Sequence, residues 1–349
     1  MSQVKVLVTG ASGYIGGSVL QTLVDDFGSD ISLSALVRSK ANYDALKEMG
    51  VNPIYFNGLH DLETIKRVAS EHQAVVSCAS SLDVPSCLAL VEGLGIGKQD
   101  TAQDVFYIHT SGTSNFGDHP ITKTELKDVT IRTDKDDNYE WEKNNADAWP
   151  SRKVDVTIID AGERFGVKTI ITNPPLIYGR GNGIGNQRSI QIPALVEISL
   201  KKQQAIVLGK GEGLWTVAHI SDVAAFYSLV LKRYLEGQSI DSGKSGYYFL
   251  ENGEISWLDI SNKIGEVGYS EGLFPSKEIK EITLEAFSEA LAIPHLKDLN
   301  MTEVVWGSNA RISAIKSREI GWKPQNDLAE FYKSIEDEVN SYQVQGTQD

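Results

Sequence analysis

Short β-branched apolar runs alternate with stretches of helical apolar spacing through the first 110 residues. Val4–Val8 is mostly apolar and predicts a strand buried on both faces. Tyr14–Asp25 follows as a helix, with Ile15, Val19, Leu20 and Leu23 on one face. Ile31–Val37 predicts a second strand, and Asn42–Met49 a helix closed by Gly50. Pro53–Phe56 with Leu62–Glu71 repeats the unit, and Ala74–Cys78 with a helix across Pro85–Leu94 repeats it again. Val105–Thr110 supplies a fifth strand. Strands alternating with helices imply an α/β fold, a parallel sheet covered on both faces.

Asp118–Pro150 interrupts this rhythm with a polar, acidic stretch holding Asp134, Asp136 and Asp137, expected to be an excursion that is partly helical. Pro150 suits the first position of a helix, so Val154–Phe165 reads as helical, and Val167–Thr172 as a sixth strand stopped by Pro174-Pro175. Gly179–Gly185 then holds four glycines. Beyond it come a helix at Ile192–Lys201, a strand at Ala205–Leu208, a glycine loop at Gly209–Gly213 and a helix at Ser221–Leu235. Two parts are expected: a main domain over residues 1–180, and a smaller α+β lobe over residues 181–349 ending in the amphipathic helix Leu328–Tyr342. Segments near Tyr247–Leu250 are expected to return to the main sheet.

The formal charge of −14 disfavours nucleic acid and anionic membrane as partners, since both would be repelled. No apolar run approaches the roughly 20 residues that span a bilayer, and the N-terminus lacks a signal-peptide layout. Cys78 and Cys87 have no metal-type spacing, so neither a metal site nor a disulfide is expected. These features suggest a cytoplasmic protein with a small-molecule substrate; a homodimer is compatible with them.

The chemistry concentrates first on the turn Gly10-Ala11-Ser12-Gly13-Tyr14-Ile15-Gly16. Gly10 permits a tight turn off the first strand, Gly13 lets backbone N–H groups approach a pyrophosphate, and Gly16 allows close helix–strand packing. Its place between a strand and an amphipathic helix is what lifts the motif above a common glycine turn. The helix N-terminus then offers partial positive charge to phosphates. At the end of the second strand, where NAD-specific sites carry an acid, the chain reads Arg38-Ser39-Lys40. A guanidinium pairs bidentately with a 2′-phosphate, which favours NADP(H) over NAD(H).

These residues resemble the extended, epimerase/dehydratase-like branch of the short-chain dehydrogenase/reductase superfamily, in an atypical form. The resemblance runs through the Thr9–Gly16 turn, Ala79-Ser80, Thr110–Gly117, Asn173–Gly179, Trp215–Asp222 and Arg311–Pro324 with Gly321-Trp322. It implies a Rossmann-type doubly wound sheet with a C-terminal substrate lobe. It also implies that Leu59 lies near the adenine, Ala79 and Ser80 near ribose and pyrophosphate, and Pro174 to Ile177 along the nicotinamide. His219 and Asp222 are expected to be structural.

The superfamily pairs a Ser or Thr with a Tyr, and with a Lys four residues after the Tyr that lowers the phenol's pKa. Here Ser111 and Thr113 offer the hydroxyl, which would polarise a carbonyl. Tyr139 and Lys143 have the right spacing, but they stand in an acidic stretch, and the helix expected to carry the pair is Pro150–Phe165. That helix has no Tyr, only Ser151, Arg152, Lys153 and Asp155 among its early polar residues. Tyr178 is then the alternative phenol, or a packing residue. Trp215, Phe226, Tyr227, Tyr247, Tyr248 and Trp257 are candidates for a pocket, though such aromatics are mostly core. The expected function is an NADP(H)-dependent oxidoreductase acting on a carbonyl or activated double bond of a small metabolite. The alternatives are a non-catalytic NADP sensor similar to NmrA-like regulators, and a nucleotide-sugar epimerase or dehydratase.

Overall fold

The structure, a computed structural model, describes residues 3–101, 104–123 and 130–346. β1 (Val4–Thr9) and α1 (Tyr14–Phe27) are followed by β2 (Ile31–Val37), α2 (Lys40–Glu48), β3 (Asn52–Tyr55) and α3 (Leu62–Ser70). β4 (Ala74–Ser77), α4 (Val84–Thr101) and β5 (Phe106–Thr110) continue the pattern. The excursion that follows contributes β6 (Arg132–Thr133) and α5 (Asn138–Asn144); its residues 124–129 lie outside those described. α6 (Pro150–Phe165) and β7 (Lys168–Asn173) return to the main sheet.

All seven strands of that sheet are parallel, in the order β11-β7-β5-β4-β1-β2-β3, where β11 is Tyr247–Phe249. The order reverses beside β1, so a crevice opens at the C-terminal ends of β1 and β4, where doubly wound sheets bind their ligands. The fold is therefore the α/β parallel-sheet architecture that the strand–helix alternation implied, in the Rossmann-like form that the resemblance implied.

Two helices differ from expectation for identifiable reasons. α2 begins at Lys40 rather than Asn42 because the Ser39 hydroxyl accepts from the Asn42 N–H and caps the helix start. α4 runs to Thr101, well past Leu94, through three glycines that resemble helix breakers. They are contact points: a Cβ at Gly93 or Gly97 would lie 2.3 Å from a carbonyl oxygen of α3, and one at Gly95 2.6 Å from the Phe165 Cβ. Close packing against α3 and α6 offsets the helix-propensity cost of those glycines.

After β7 the chain contains β8 (Leu176–Tyr178), α7 (Gln191–Lys202), β9 (Ile206–Leu208), β10 (Leu214–His219), α8 (Ile220–Leu235) and, after β11, β12 (Glu254–Ser256). α9 (Trp257–Ser270), β13 (Lys280–Ile282), α10 (Leu284–Ala290), α11 (Leu299–Trp306), β14 (Ile312–Ser313), α12 (Lys316–Glu319) and α13 (Leu328–Gly346) complete it. β8 and β10 pair in parallel, β12 joins β10 antiparallel, and β6 of the excursion pairs with β14.

The buried side chains form two clusters. α8 belongs to the first, through Val223, Phe226, Tyr227, Val230 and Leu231, whereas Leu176 and Tyr178 already belong to the second. The core thus divides just before residue 176, with α8, β11, β14 and Trp322 returning to the main domain. Trp215, Phe226, Tyr227, Tyr247, Tyr248 and Trp257 are all buried, so they build these cores. Among the described residues no helix is long and apolar enough to cross a membrane, and no group of side chains is arranged to hold a metal ion.

Candidate functional site: a dinucleotide cleft and a buried acid cluster

β1 delivers the chain to Gly10, whose φ of 73° is left-handed, and whose missing Cβ would lie 2.6 Å from the Cys78 carbonyl oxygen. A Cβ on Gly16 would lie 2.3 Å from the Gly10 oxygen. Only glycine lets turn, helix and β4 approach this closely. Gly13 caps α1 with no side-chain hydrogen bond, and the first helical turn holds no acid, so the leading N–H groups around Tyr14, Ile15 and Gly16 stay free of side-chain caps. Four such donors are left over at any helix start. A cavity of about 620 Å³ opens over this turn, lined by Gly10, Ser12, Gly13, Arg38, Leu59 and Ala79 among others. Residues and electrostatics here fit a dinucleotide phosphate, which would bring negative charge to an uncapped helix N-terminus.

The three polar residues after β2 divide. Arg38 is exposed at the cavity and makes no hydrogen bond or ion pair with any described residue. Ser39 lines the cavity, but its hydroxyl caps α2. Lys40 does not line it; its ammonium pairs with Asp44 at 2.6 Å, one helical turn on. The early start of α2 turns Lys40 along the helix in this structure. Ser80 lines a narrow recess beside the cleft with Leu59 and Ala79, and its hydroxyl accepts from the Leu82 N–H. Cys87 lines the same recess; it and Cys78 are free thiols, both pushed up to about 12 by burial.

The tyrosine candidates sit elsewhere. Tyr139 and Lys143 do meet, Nζ to Oη at 3.4 Å, but the phenol donates to the exposed Asp160 at 2.6 Å on the outer side of α6. Burial and Asp160 raise its pKa, the opposite of what a proton-transfer Tyr needs. Tyr178 is 1 % exposed, packs edge-on against His219 and Phe331, and donates to the Asp327 carbonyl. Its role in this structure is packing within the second core. In this structure neither phenol lines the dinucleotide cleft, and the contacts of Tyr178 match its alternative reading as a packing residue. Pro174 is buried, its carbonyl accepting from the Thr113 N–H, and Ile177 pairs with Ala218. The Thr113 hydroxyl donates to the same Pro174 carbonyl at 3.2 Å.

Ser111 differs. Just past the C-terminal end of β5, it donates to Asp155 Oδ2 at 2.5 Å, and Asp155 projects from α6. Asn115 Nδ2 reaches both Asp155, at 2.8 Å, and Glu142 of α5, at 2.6 Å. Glu142 also accepts from the Tyr247 phenol, and Ser151 donates to Asn115 Oδ1. Arg152 gives its guanidinium to the Asn115 carbonyl and stacks on Trp141, whose ring lies 4.6 Å from Arg152 and 4.6 Å from Arg132. Both carboxyls are fully buried; desolvation raises Glu142 to about 7 and Asp155 well above the usual carboxylate range, and the neighbouring Glu142 charge adds to the latter.

His109 faces this cluster from β5, its Nε2 3.5 Å from Asp155 Oδ1. Burial lowers the imidazole to about 3, so the contact joins a neutral ring to a carboxyl group and is not an ion pair. Asn115, Glu142, Asp155 and His109 were not singled out as a site from the sequence. The available signal was Ser151 and Asp155, four apart on the helix expected to carry a Tyr/Lys pair.

Residues 103–242 match the NAD dependent epimerase/dehydratase family. The chain is 27% identical to oxidase ucsJ of an Acremonium species over 342 residues, covering 92% of each protein. Among solved structures it resembles DesIV, a dTDP-glucose 4,6-dehydratase from Streptomyces venezuelae with NAD bound, at a TM-score of 0.63 and 17% identity over 95% of this chain and 96% of that one. It resembles UDP-glucose 4-epimerase from Thermotoga maritima at a TM-score of 0.62 and 14% identity, over 98% and 99% of the two chains. The chain therefore shares the fold of these epimerases and dehydratases over nearly its whole length, and its residues 103–242 carry the match to the NAD dependent epimerase/dehydratase family. The family match starts beside β5 and takes in α6, β7 and α8, while the glycine turn lies before it. In this chain, the helix after the excursion presents Ser151 and Asp155, both buried.

Proposed function

We propose that the chain is an NADP(H)-dependent oxidoreductase that transfers hydride to a carbonyl or activated double bond of a small metabolite. The observation that carries this reading is the unpartnered Arg38 guanidinium at the rim of the cleft above the uncapped N-terminus of α1. A 2′-phosphate supplies the bidentate acceptor such a group lacks. The pyrophosphate would sit on Ser12, Gly13 and the first turn of α1, with Leu59 and Ala79 beside the adenosine half. The bound dinucleotide would supply hydride chemistry at the nicotinamide; the chain supplies position and the proton. The acidic chain and its two free thiols suit a cytoplasmic setting.

The test is a titration of NADPH and NADH against wild type and Arg38→Ala. Losing one charge-assisted pair costs about 1.5–3 kcal/mol, roughly 10- to 100-fold in NADPH affinity. NADH binding should hardly change. Equal affinity of wild type for both dinucleotides would overturn the NADP(H) preference. Reduction by NADPH is then sought across aldehydes, ketones and enones. A second reading, NADP sensing without turnover in the manner of NmrA-like regulators, is favoured by one observation: α6 carries no tyrosine.

A further inference from the structure

Two buried carboxyls and a histidine lie together at the end of β5, one strand from the cleft. Ser111 is 7 % exposed and Asp155 0 %, so the serine is the outer member of their hydrogen-bonded pair. Asp155 Oδ1 and His109 Nε2 both lack a hydrogen-bond partner, though each is fully buried. Orphaned polar atoms in such a place are costly unless a proton joins them. On the other side, the Asn115 amide spends its two N–H groups bridging Asp155 and Glu142, which brings two carboxyls together. Like charges this close cannot both ionise away from water, so the pair retains a proton.

We propose that Ser111 is the proton donor to the substrate oxygen, and that Asp155, held as a neutral acid by Glu142 and His109, is the positioning residue that restores the serine's proton. The inference rests on the oxidoreductase reading. As the substrate oxygen takes the proton, the Ser111 O–H bond breaks and a substrate O–H bond forms. Ser111 Oγ regains a proton when the Asp155 carboxyl turns its protonated oxygen, Oδ1 beside His109 in this structure, toward the serine in place of Oδ2, leaving a carboxylate that solvent reprotonates after product leaves. The electron pair arrives as the hydride supplied by the dinucleotide, so charge and atoms balance. The arrangement replaces a phenol and an ammonium with a hydroxyl and a buried acid. Groups facing Asp155 are Glu142 of α5, His109 of β5, Arg152 on its own helix, Cys87 of α4 and Tyr247 of β11.

Two measurements decide it. An infrared difference spectrum of wild type minus Asp155→Asn at pH 7, without substrate, should show the carbonyl stretch of a neutral carboxylic acid; its absence overturns the proposal. In NADPH-linked turnover, Ser111→Ala should lower kcat at least about 100-fold with KM little changed. Ser111→Thr should restore much of it, and Asp155→Asn should move the alkaline limb of the kcat–pH profile. Wild-type turnover matched by Ser111→Ala overturns the relay and leaves the oxidoreductase reading standing. A wild type inert toward every carbonyl and enone offered overturns that reading, and the relay with it.

Discussion

Tyr14, the first residue of α1, donates its phenolic hydrogen to the carbonyl of Gly179 at 2.6 Å, tying the glycine turn to the loop beyond β8. Two further contacts follow the same seam. The Ser12 carbonyl accepts from the Asn186 N–H at 2.9 Å, and a Cβ on Gly183 would lie 2.5 Å from the Gly17 Cα. Gly183 and Gly185 of that loop are therefore required by close approach to the turn and α1, while Gly179 is required by a left-handed φ and by His219.

Removing the phenolic oxygen with Tyr14→Phe should cost about 1 kcal/mol, the typical net worth of one such hydrogen bond. The effect should be local. Trypsin cleavage after the exposed Arg180 should accelerate relative to wild type, because the loop loses its side-chain tether. Unchanged cleavage would mean that backbone packing alone holds it.

Gly16→Ala should be worse than its single methyl suggests. The new Cβ would meet the Gly10 carbonyl oxygen at 2.3 Å, and neither backbone can yield without opening the turn. Overpacking of this kind costs about 1–3 kcal/mol. Dinucleotide binding by calorimetry should fall together with the thermal midpoint. A variant that keeps wild-type affinity would show that this turn does not hold the phosphates.

Acid should destabilise the protein through His109. Its folded pKa is about 3 against an ordinary 6.5, so the unfolded chain binds a proton that the folded one refuses. The stability contribution is complete above pH 6.5 and is lost as pH falls from there toward 3. His109→Gln removes the titration, so its thermal midpoint should decline less steeply than wild type between pH 6.5 and 4. Parallel slopes would assign the acid sensitivity to other groups.

Much of this was legible from local pattern. Each strand of the parallel sheet carries a short apolar run, and Pro150 marks a helix start by side-chain chemistry that acts within a few residues, whereas the cap that Ser39 supplies to α2 was missed. α4 was underestimated because Gly93, Gly95 and Gly97 serve contacts with α3 and Phe165, partners invisible along the chain. The acid cluster was hidden for the same reason. Glu142 reaches Asn115 and Tyr247, 27 and 105 residues away, only after α5 folds back on α6. Tyr139 and Lys143 had the right spacing on a helix that faces the wrong way, since a spacing sets neighbours on one helix but not the direction that helix faces.

Asp222 gives the sharpest separation between binding and stability. It is 4 % exposed in the first turn of α8, and its carboxylate accepts from the backbone N–H groups of Gln325 and Asn326 at 2.9 and 3.0 Å and from the Asn326 amide at 3.0 Å. Its backbone carbonyl accepts from the Trp322 indole at 2.8 Å. These bonds fix the segment that leads into α13, whose Phe331, Ile335 and Val339 fill the second core. Asp222→Ala strands two backbone donors, at a cost of about 3 kcal/mol. Urea midpoints should drop accordingly, with Asp222→Asn intermediate because its amide oxygen still accepts. Dinucleotide affinity below the transition should stay at the wild-type value, since the cleft is lined from β1, β2 and the loops after β3 and β4. Loss of affinity with the urea midpoint unmoved would instead place Asp222 in the ligand site and contradict the structural role argued from its four hydrogen bonds.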